Sequence, residues 1–383
     1  MPALPPPPPE ALTISQELVE RIARAIEAGG GWIPFSRYME MALYEAGLGY
    51  YSAGSHKFGA AGDFVTAPEM SPLFGRALAR QLAELLPQTA GVVYEFGAGS
   101  GRLAVDILRE LDALDALPQR YVIIDLSADL IARQRETLAR ELPQLAARVE
   151  WASQLPDTLD GIVIGNEVLD AMPCELIHWT PQPLRRGVTL GHDGFAWEDR
   201  PIDDDRLAAL AREHATGLDD YISEISLGNT AFIRTLGERL QRGAILLIDY
   251  GFPAAEYYHP QRARGTLIGH YRHHSIDEPF YLPGLMDLTC HVDFSAVAQA
   301  GIDAGLDLIG YTTQAQFLIN AGITALLQQT DPDDLAHYLP QVSQVQKLLG
   351  PSEMGELFKV IGFGRGVDID WTGFADGDRC RTL

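Results

Sequence analysis

The chain has 383 residues, 46% of them hydrophobic, and a formal charge of −23. That length suits one large domain or two moderate ones, either of which can bury a core. The acidic surplus argues against nucleic acid or an anionic membrane as partner, because both need basic surface, and it leaves a cationic or basic partner as the natural attraction.

The elements follow in chain order. Residues 1–14, with the Pro5–Pro9 run, read as a disordered, extended and solvated arm. Ser15 can cap a helix carrying Leu18, Ile22 and Ile26 at helical spacing, ended by Gly29–Gly31, and Ser36 can cap a second through Glu45. The loop Ser55–Gly75, SHKFGAAGDFVTAPEMSPLFG, is dense in glycine and small polar residues. Ser71-Pro72 starts a helix running to about Leu86. Residues 15–90 together form an N-terminal helical and lid segment.

From there the rhythm changes. Short apolar runs at Val92–Phe96, Tyr121–Ile124, Val149–Ala152, Gly161–Ile164 and Ala244–Ile248 alternate with helical stretches. Continuous apolar strands of this kind indicate a parallel sheet covered on both faces, in an α/β fold. Residues 91–170 and 241–383 are assigned to that Rossmann-like core, with a late helical stretch at Thr313–Leu349 and edge strands at Leu306–Tyr311 and Leu357–Phe363. Residues 171–240 form an α+β insertion, a lid or second lobe that suits a homodimer interface as well as a substrate cleft.

Three cysteines, Cys174, Cys290 and Cys380, lie far apart, so neither a disulfide framework nor a zinc site follows. No apolar run reaches spanning length, and the N-terminus, MPALPPPPPEAL, resembles no targeting signal. A cytoplasmic protein is expected.

The stretch Tyr94–Arg102 reads YEFGAGSGR. A dinucleotide loop is GxGxxG, with its third glycine where Arg102 stands. The glycines here are Gly97, Gly99 and Gly101, with Glu95 two residues before the first. That is the E/D-x-G-x-G-x-G form of loops that hold S-adenosylmethionine, a ligand with a cationic sulfonium and an ammonium but no phosphate. Glu95 suits the ammonium. Asp125, ending the next strand, suits the ribose hydroxyls, though nicotinamide enzymes share an acid there. The expected cofactor residues are Glu95, Gly97, Gly99, Gly101, Asp125, Leu126 and Asn166.

Several blocks carry a wider resemblance. They are GDFVTAPEMSPLFG at Gly62–Gly75, EFGAGSGRLAVDIL at Glu95–Leu108, GNEVLDAMPCE at Gly165–Glu175 and LLIDYG at Leu246–Gly251. GTLIGHYRHHSIDEPFYLPGLMDLTCHVDF at Gly265–Phe294, TTQAQFLINAGI at Thr312–Ile323 and MGELFKVIGFGRG at Met354–Gly366 follow. In this order they resemble the MidA family of class I methyltransferases. The resemblance implies a class I methyltransferase Rossmann-like fold, S-adenosylmethionine as cofactor, and methylation of a protein arginine tied to respiratory complex I assembly. The family includes a mitochondrial assembly factor; here no targeting segment is seen, and abundant arginine beside only Lys57, Lys347 and Lys359 fits a bacterial source.

Asn166-Glu167, with Asp170, closes the fourth strand, where this fold faces the transferred methyl. A guanidinium fits carboxylates, because paired hydrogen bonds match its fork, and its high pKa calls for a carboxylate that orients it and takes its proton. Glu167 is the expected catalytic group, with Asp170 or Asp249 second. Asp63, Thr66 and Glu69 in the Ser55–Gly75 loop are expected to form a lid over cofactor or substrate. DLTCHVDF, Asp287–Phe294, alternates strictly, placing Asp287, Thr289, His291 and Asp293 on one strand face that either lines the substrate pocket or is solvated. No metal is expected. Two other readings stay open: a non-catalytic assembly chaperone that keeps this fold, and an NAD-dependent oxidoreductase.

Overall fold

The computed structural model describes residues 4–52, 65–214, 217 and 220–383. The chain forms two compact units. The sheet unit comprises Val65–Val168, Ala231–Pro253 and Phe294–Leu383; the second unit comprises Met1–Phe64, Leu169–Thr230 and Ala254–Asp293.

The strands of the sheet unit are β1 (Val92–Phe96), β2 (Arg120–Ile124), β3 (Val149–Ala152), β4 (Leu159–Asn166), β5 (Leu240–Phe252), β6 (Asp307–Thr313) and β7 (Phe358–Arg365). They line up as β3–β2–β1–β4–β5–β7–β6. Neighbours from β3 to β5 pair in parallel, and β7 runs antiparallel to both β5 and β6. Their near-continuous apolar sequences match burial on both faces: Val93, Ile123, Ile162, Val163 and Leu246 are fully buried. From β1 the chain steps outward to β2 and β3, then returns to lay β4 on the other side of β1. Such a reversal leaves a crevice at the carboxyl ends of the two central strands. Phe96 pairs with Gly165, so the loops after β1 and β4 leave the sheet side by side.

The helix Pro72–Leu85 starts as the sequence indicates: Pro72 stands at the first helical position, and the Ser71 hydroxyl accepts the Leu73 amide. It packs on the helix Arg102–Ala113 at Gly75, where a Cβ would lie only 2.8 Å from Asp106 Cβ. Phe74, Leu78, Leu82, Ile107 and Leu111 fill this contact with no exposed surface. The late helical stretch appears as Gln314–Asn320, Ile323–Leu327 and Leu335–Leu349.

The second unit is built from antiparallel pairs. Leu184–Gly191 pairs with Gly194–Pro201, Glu175–Trp179 and Ile33–Pro34, and Glu175–Trp179 also pairs with Tyr221–Ile225. A smaller sheet joins Ile268–Tyr271 to His274–Ile276 and Asp287–Thr289. Leu18, Ile22, Tyr38, Leu176 and Met286 share its core.

Several expectations need correction. The first helix starts at Pro9, not near Ser15, because a proline at the start costs no amide bond and Leu18, Ile22 and Ile26 pull the whole stripe into the core. Residues 9–14 are therefore helical rather than a disordered arm, and the Pro5 and Pro6 carbonyls accept from the Tyr271 hydroxyl and the Arg272 guanidinium. Ser15 instead donates to the Pro283 carbonyl, and Ser36 to the Glu175 carboxylate. The alternating run Asp287–Phe294 is not one strand. It is strand over Asp287–Thr289 and again at Val292–Asp293, and a helix begins at Phe294. Asp287 and Thr289 are buried rather than solvated. Cys174 and Cys290, distant in sequence, meet with their sulfurs 3.2 Å apart as free thiols. The division into units also differs from the sequence-based one. Pro72–Leu85 belongs with the sheet through its helix contact, and Ala254–Asp293 leaves it.

Gly75→Val is expected to force the two helices apart and destabilise the protein by about 1–3 kcal/mol, the usual cost of overpacking. A urea denaturation series checks this, and an unchanged midpoint would refute the close approach.

Candidate active site

The loop after β1 carries the three glycines. Gly97, Gly99 and Gly101 all adopt positive φ, at 67°, 53° and 83°. A Cβ at Gly97 would lie 2.9 Å from Val168 Cγ2, and one at Gly101 would lie 3.2 Å from Gln134 Cα. Two of the three glycines are thus needed for space as well as for backbone shape. Arg102, where a dinucleotide loop carries its third glycine, forms a two-point ion pair with Asp106, leaving it engaged on its own helix.

Glu95 is the next-to-last residue of β1 and is 1% exposed. Its Oε2 accepts the Tyr121 hydroxyl at 2.8 Å, while its Oε1 meets no hydrogen-bond partner among the described residues. Burial pushes its pKa up to about 8; the Tyr121 bond pulls the other way and Asp125 adds to the rise. On β4, Asn166 is likewise buried, and its Oδ1 also lacks a partner. Two buried acceptors with unused lone pairs at adjacent strand ends suit a ligand that brings donors and positive charge.

After β2, Asp125 accepts the Ser127 amide at 2.8 Å and the Gln134 amide at 2.7 Å. Leu126 beside it is 83% exposed, an apolar surface next to a carboxylate. Thr66 precedes the short helix Ala67–Met70, and Glu69 on that helix accepts the Ser100 hydroxyl of the glycine loop. Asp63 lies outside the described residues.

The turn after β4 is unusual. Glu167 has φ 53°, left-handed backbone in a residue with a full side chain. Its amide donates to the Ile248 carbonyl at 2.9 Å, and its Oε1 accepts from Asn166 Nδ2 at 3.0 Å. Asp249, on β5, is fully buried and accepts the Val168 amide at 3.1 Å and its neighbour Tyr250's amide at 2.9 Å. Its carboxylate holds the turn. The sheet unit therefore brings Glu95, the glycines, Asp125, Leu126, Asn166, Glu167, Asp249, Thr66 and Glu69 onto one body. Asp170 and His291 belong to the second unit. There the Asp170 carbonyl accepts the Cys290 amide at 3.0 Å, and the His291 amide donates to the Thr266 hydroxyl. Asp287 and Asp170 both add to the burial that raises the Tyr44 pKa. Among the described residues no three acidic, histidine or cysteine side chains gather as a metal site. No described helix is long and apolar enough to cross a membrane.

A family model for S-adenosyl-L-methionine-dependent methyltransferases matches residues 73–312. The chain belongs to this family. The methyltransferase is 50% identical to a Burkholderia thailandensis protein whose crystal structure contains S-adenosyl-homocysteine; the match covers all of both chains with a TM-score of 0.96. It is also 28% identical over 386 residues to the mitochondrial protein arginine methyltransferase NDUFAF7 of Danio rerio, spanning 91% of this chain and 86% of that one. The human protein of the same name is 27% identical over 368 residues, covering 86% and 79%. The fold is that of class I methyltransferases, and S-adenosylmethionine replaces the dinucleotide reading.

Sequence reading missed Gln134 and the Ser100–Glu69 link. Gln134 offers no motif; its only signal is a polar residue on the buried side of the Ala128–Glu141 helix.

Glu95 sets a pH dependence of stability. Its folded pKa lies above the ordinary 4.5, so the folded methyltransferase keeps a proton that the unfolded chain loses. The contribution is complete below pH 4.5 and is lost as pH rises through about 8. Glu95→Gln is expected to raise the melting temperature relative to the parent above about pH 8 and less so in acid. Calorimetric scans across pH check this; a parallel shift at every pH would contradict the assigned cause.

Proposed function

We propose that the methyltransferase transfers the methyl of S-adenosylmethionine to a guanidinium nitrogen of an arginine in a protein substrate, with a respiratory complex I subunit as the candidate substrate. The observation that carries this reading is the Glu167 carboxylate, held in left-handed backbone at the carboxyl end of β4 beside the glycine loop. The names of the relatives and the net charge of −23, which attracts basic partners, support it.

In this reading Glu95 Oε1 and Asn166 Oδ1 receive the donors of the methionine part, Asp125 the ribose hydroxyls, and Leu126 the adenine face. The glycine loop lets backbone approach closely. Glu69, through Ser100, steadies that loop, and Thr66 precedes the helix that carries Glu69. S-adenosylmethionine supplies an electrophilic methyl on a cationic sulfur. Glu167 accepts two guanidinium N–H bonds, orients one nitrogen, and takes its proton as the new N–C bond replaces the methyl–sulfur bond, which leaves a neutral thioether. Asp249 fixes the turn that presents Glu167. Asp170 and His291 are proposed as substrate contacts.

Gly99→Val is expected to abolish cofactor binding, because a β-branched residue is strained at φ 53° and would displace the loop. Titration calorimetry with S-adenosylhomocysteine reads it, and unchanged affinity would remove the cofactor from this loop. Glu167→Gln is expected to lower methyl transfer about 10²–10⁴-fold while leaving cofactor affinity near the parent's. The assay is transfer of labelled methyl into protein from a lysate lacking the enzyme, followed by mass spectrometry. Methylarginine that depends on Glu167 supports the reading; label on another residue type, or undiminished transfer, overturns it. Assembly of the partner complex with the Glu167→Gln protein, despite no transfer, would favour the chaperone alternative.

A further inference from the structure

Gln134 lies on the helix Ala128–Glu141, where only it and Leu138 are buried. It has no exposed surface. A buried amide is costly unless every polar atom is bonded, and an aliphatic side chain would fill the same space without that demand. Gln134 meets the demand in full. Its Nε2 donates to the Gly99 carbonyl at 3.1 Å and to Asp125 Oδ2 at 2.7 Å. Its Oε1 accepts the Trp151 indole N–H at 2.9 Å. An indole nitrogen only donates, while a carbonyl and an ionised carboxylate only accept, so the amide has one orientation. Glutamate, of similar shape, would lack the donors.

The three partners come from three successive strand ends. Gly99 is in the loop after β1, Asp125 follows β2, and Trp151 sits on β3. Gly101 is the space that admits Gln134, since a Cβ there would lie 3.2 Å from Gln134 Cα and 3.4 Å from its Cβ. The third glycine of the loop thus makes room for a side chain on the helix after β2.

We propose that Gln134 is a positioning residue that locks the glycine loop and Asp125 to each other, so that the methionine and ribose contacts form one preset surface before the cofactor arrives. This rests on the placement of the cofactor at the glycine loop. Preset contacts avoid the cost of ordering two loops on binding, so the loss should appear in affinity.

The test uses the full chain and S-adenosylhomocysteine as probe, with affinities from titration calorimetry and melting temperatures of the ligand-free proteins recorded alongside. Gln134→Met keeps length and burial but removes both donors, and is expected to weaken binding about tenfold, the scale of a lost hydrogen bond to a charged group. Gln134→Glu keeps the acceptor for Trp151 but sets an anion against Asp125. Its affinity deficit relative to the parent is expected to be larger at about pH 8 and to shrink towards about pH 6, as the new carboxyl takes up a proton and can donate again. A merely structural role would lower the melting temperature without that pH-dependent recovery. Parent-like affinity in Gln134→Met, or a deficit in Gln134→Glu that does not change with pH, overturns the proposal. Gly99→Val separates the two failures. If it also keeps parent affinity, the cofactor placement fails; if it alone loses binding, only the role of Gln134 fails.

Discussion

Gly97 has no side chain, and Val168 stands where one would be. That contact joins the loop after β1 to the turn after β4, and the rest of the candidate site is arranged around it. A second gap, at Gly165, accepts the same valine, whose Cγ2 would lie 3.2 Å from a Cβ there. Asp249 holds the Val168 amide from the other side. With Val168 fixed on three sides, the two residues before it have little freedom. Asn166 stays buried, and Glu167 is carried into a backbone shape that non-glycine residues rarely adopt. Strain of this sort persists only where surrounding contacts over-determine it, and here those contacts can be named.

The same region gives up stability to remain receptive. Glu95 is buried with one oxygen unsatisfied, and Asn166 repeats the pattern on the next strand. Two buried acids of the second unit are satisfied instead. Glu224 in the second unit accepts from the Thr266 and Leu267 amides and from the hydroxyls of Tyr257, Thr266 and Ser223. Glu175 holds Arg185 at two points and Ser36 at a third. The contrast separates carboxylates that staple the fold from one that waits for a donor.

Much of the sheet was legible because its signals are local. Apolar runs gave five strands, Ser71-Pro72 marked a helix start that the structure keeps, and three glycines after an acid marked the ligand loop. What stayed hidden depends on contacts between distant segments. Nothing near Ser15 says that its hydroxyl will find the Pro283 carbonyl, or near Cys174 that Cys290 will lie against it. Asp249 looked like a candidate base because it ends a strand in DYG; only the fold shows two amides already bonded to it. Alternation at Asp287–Phe294 gave the right period over too long a span, since a break at Cys290–His291 ends the pairing. Gln134 was invisible for the opposite reason: one polar residue in a polar helix carries no pattern.

The position of β7 bears on how the chain is made. This late strand, Phe358–Arg365, lies between β5 and β6 and pairs with both along its length. During synthesis, β5 and β6 leave the ribosome first and have no strand between them. One flank of the sheet then presents open backbone edges until Phe358–Arg365 emerges, and open edges invite pairing with other chains. Completion of the sheet therefore waits for β7, and the nascent protein is exposed to aggregation, and in need of a holding chaperone, until that strand arrives.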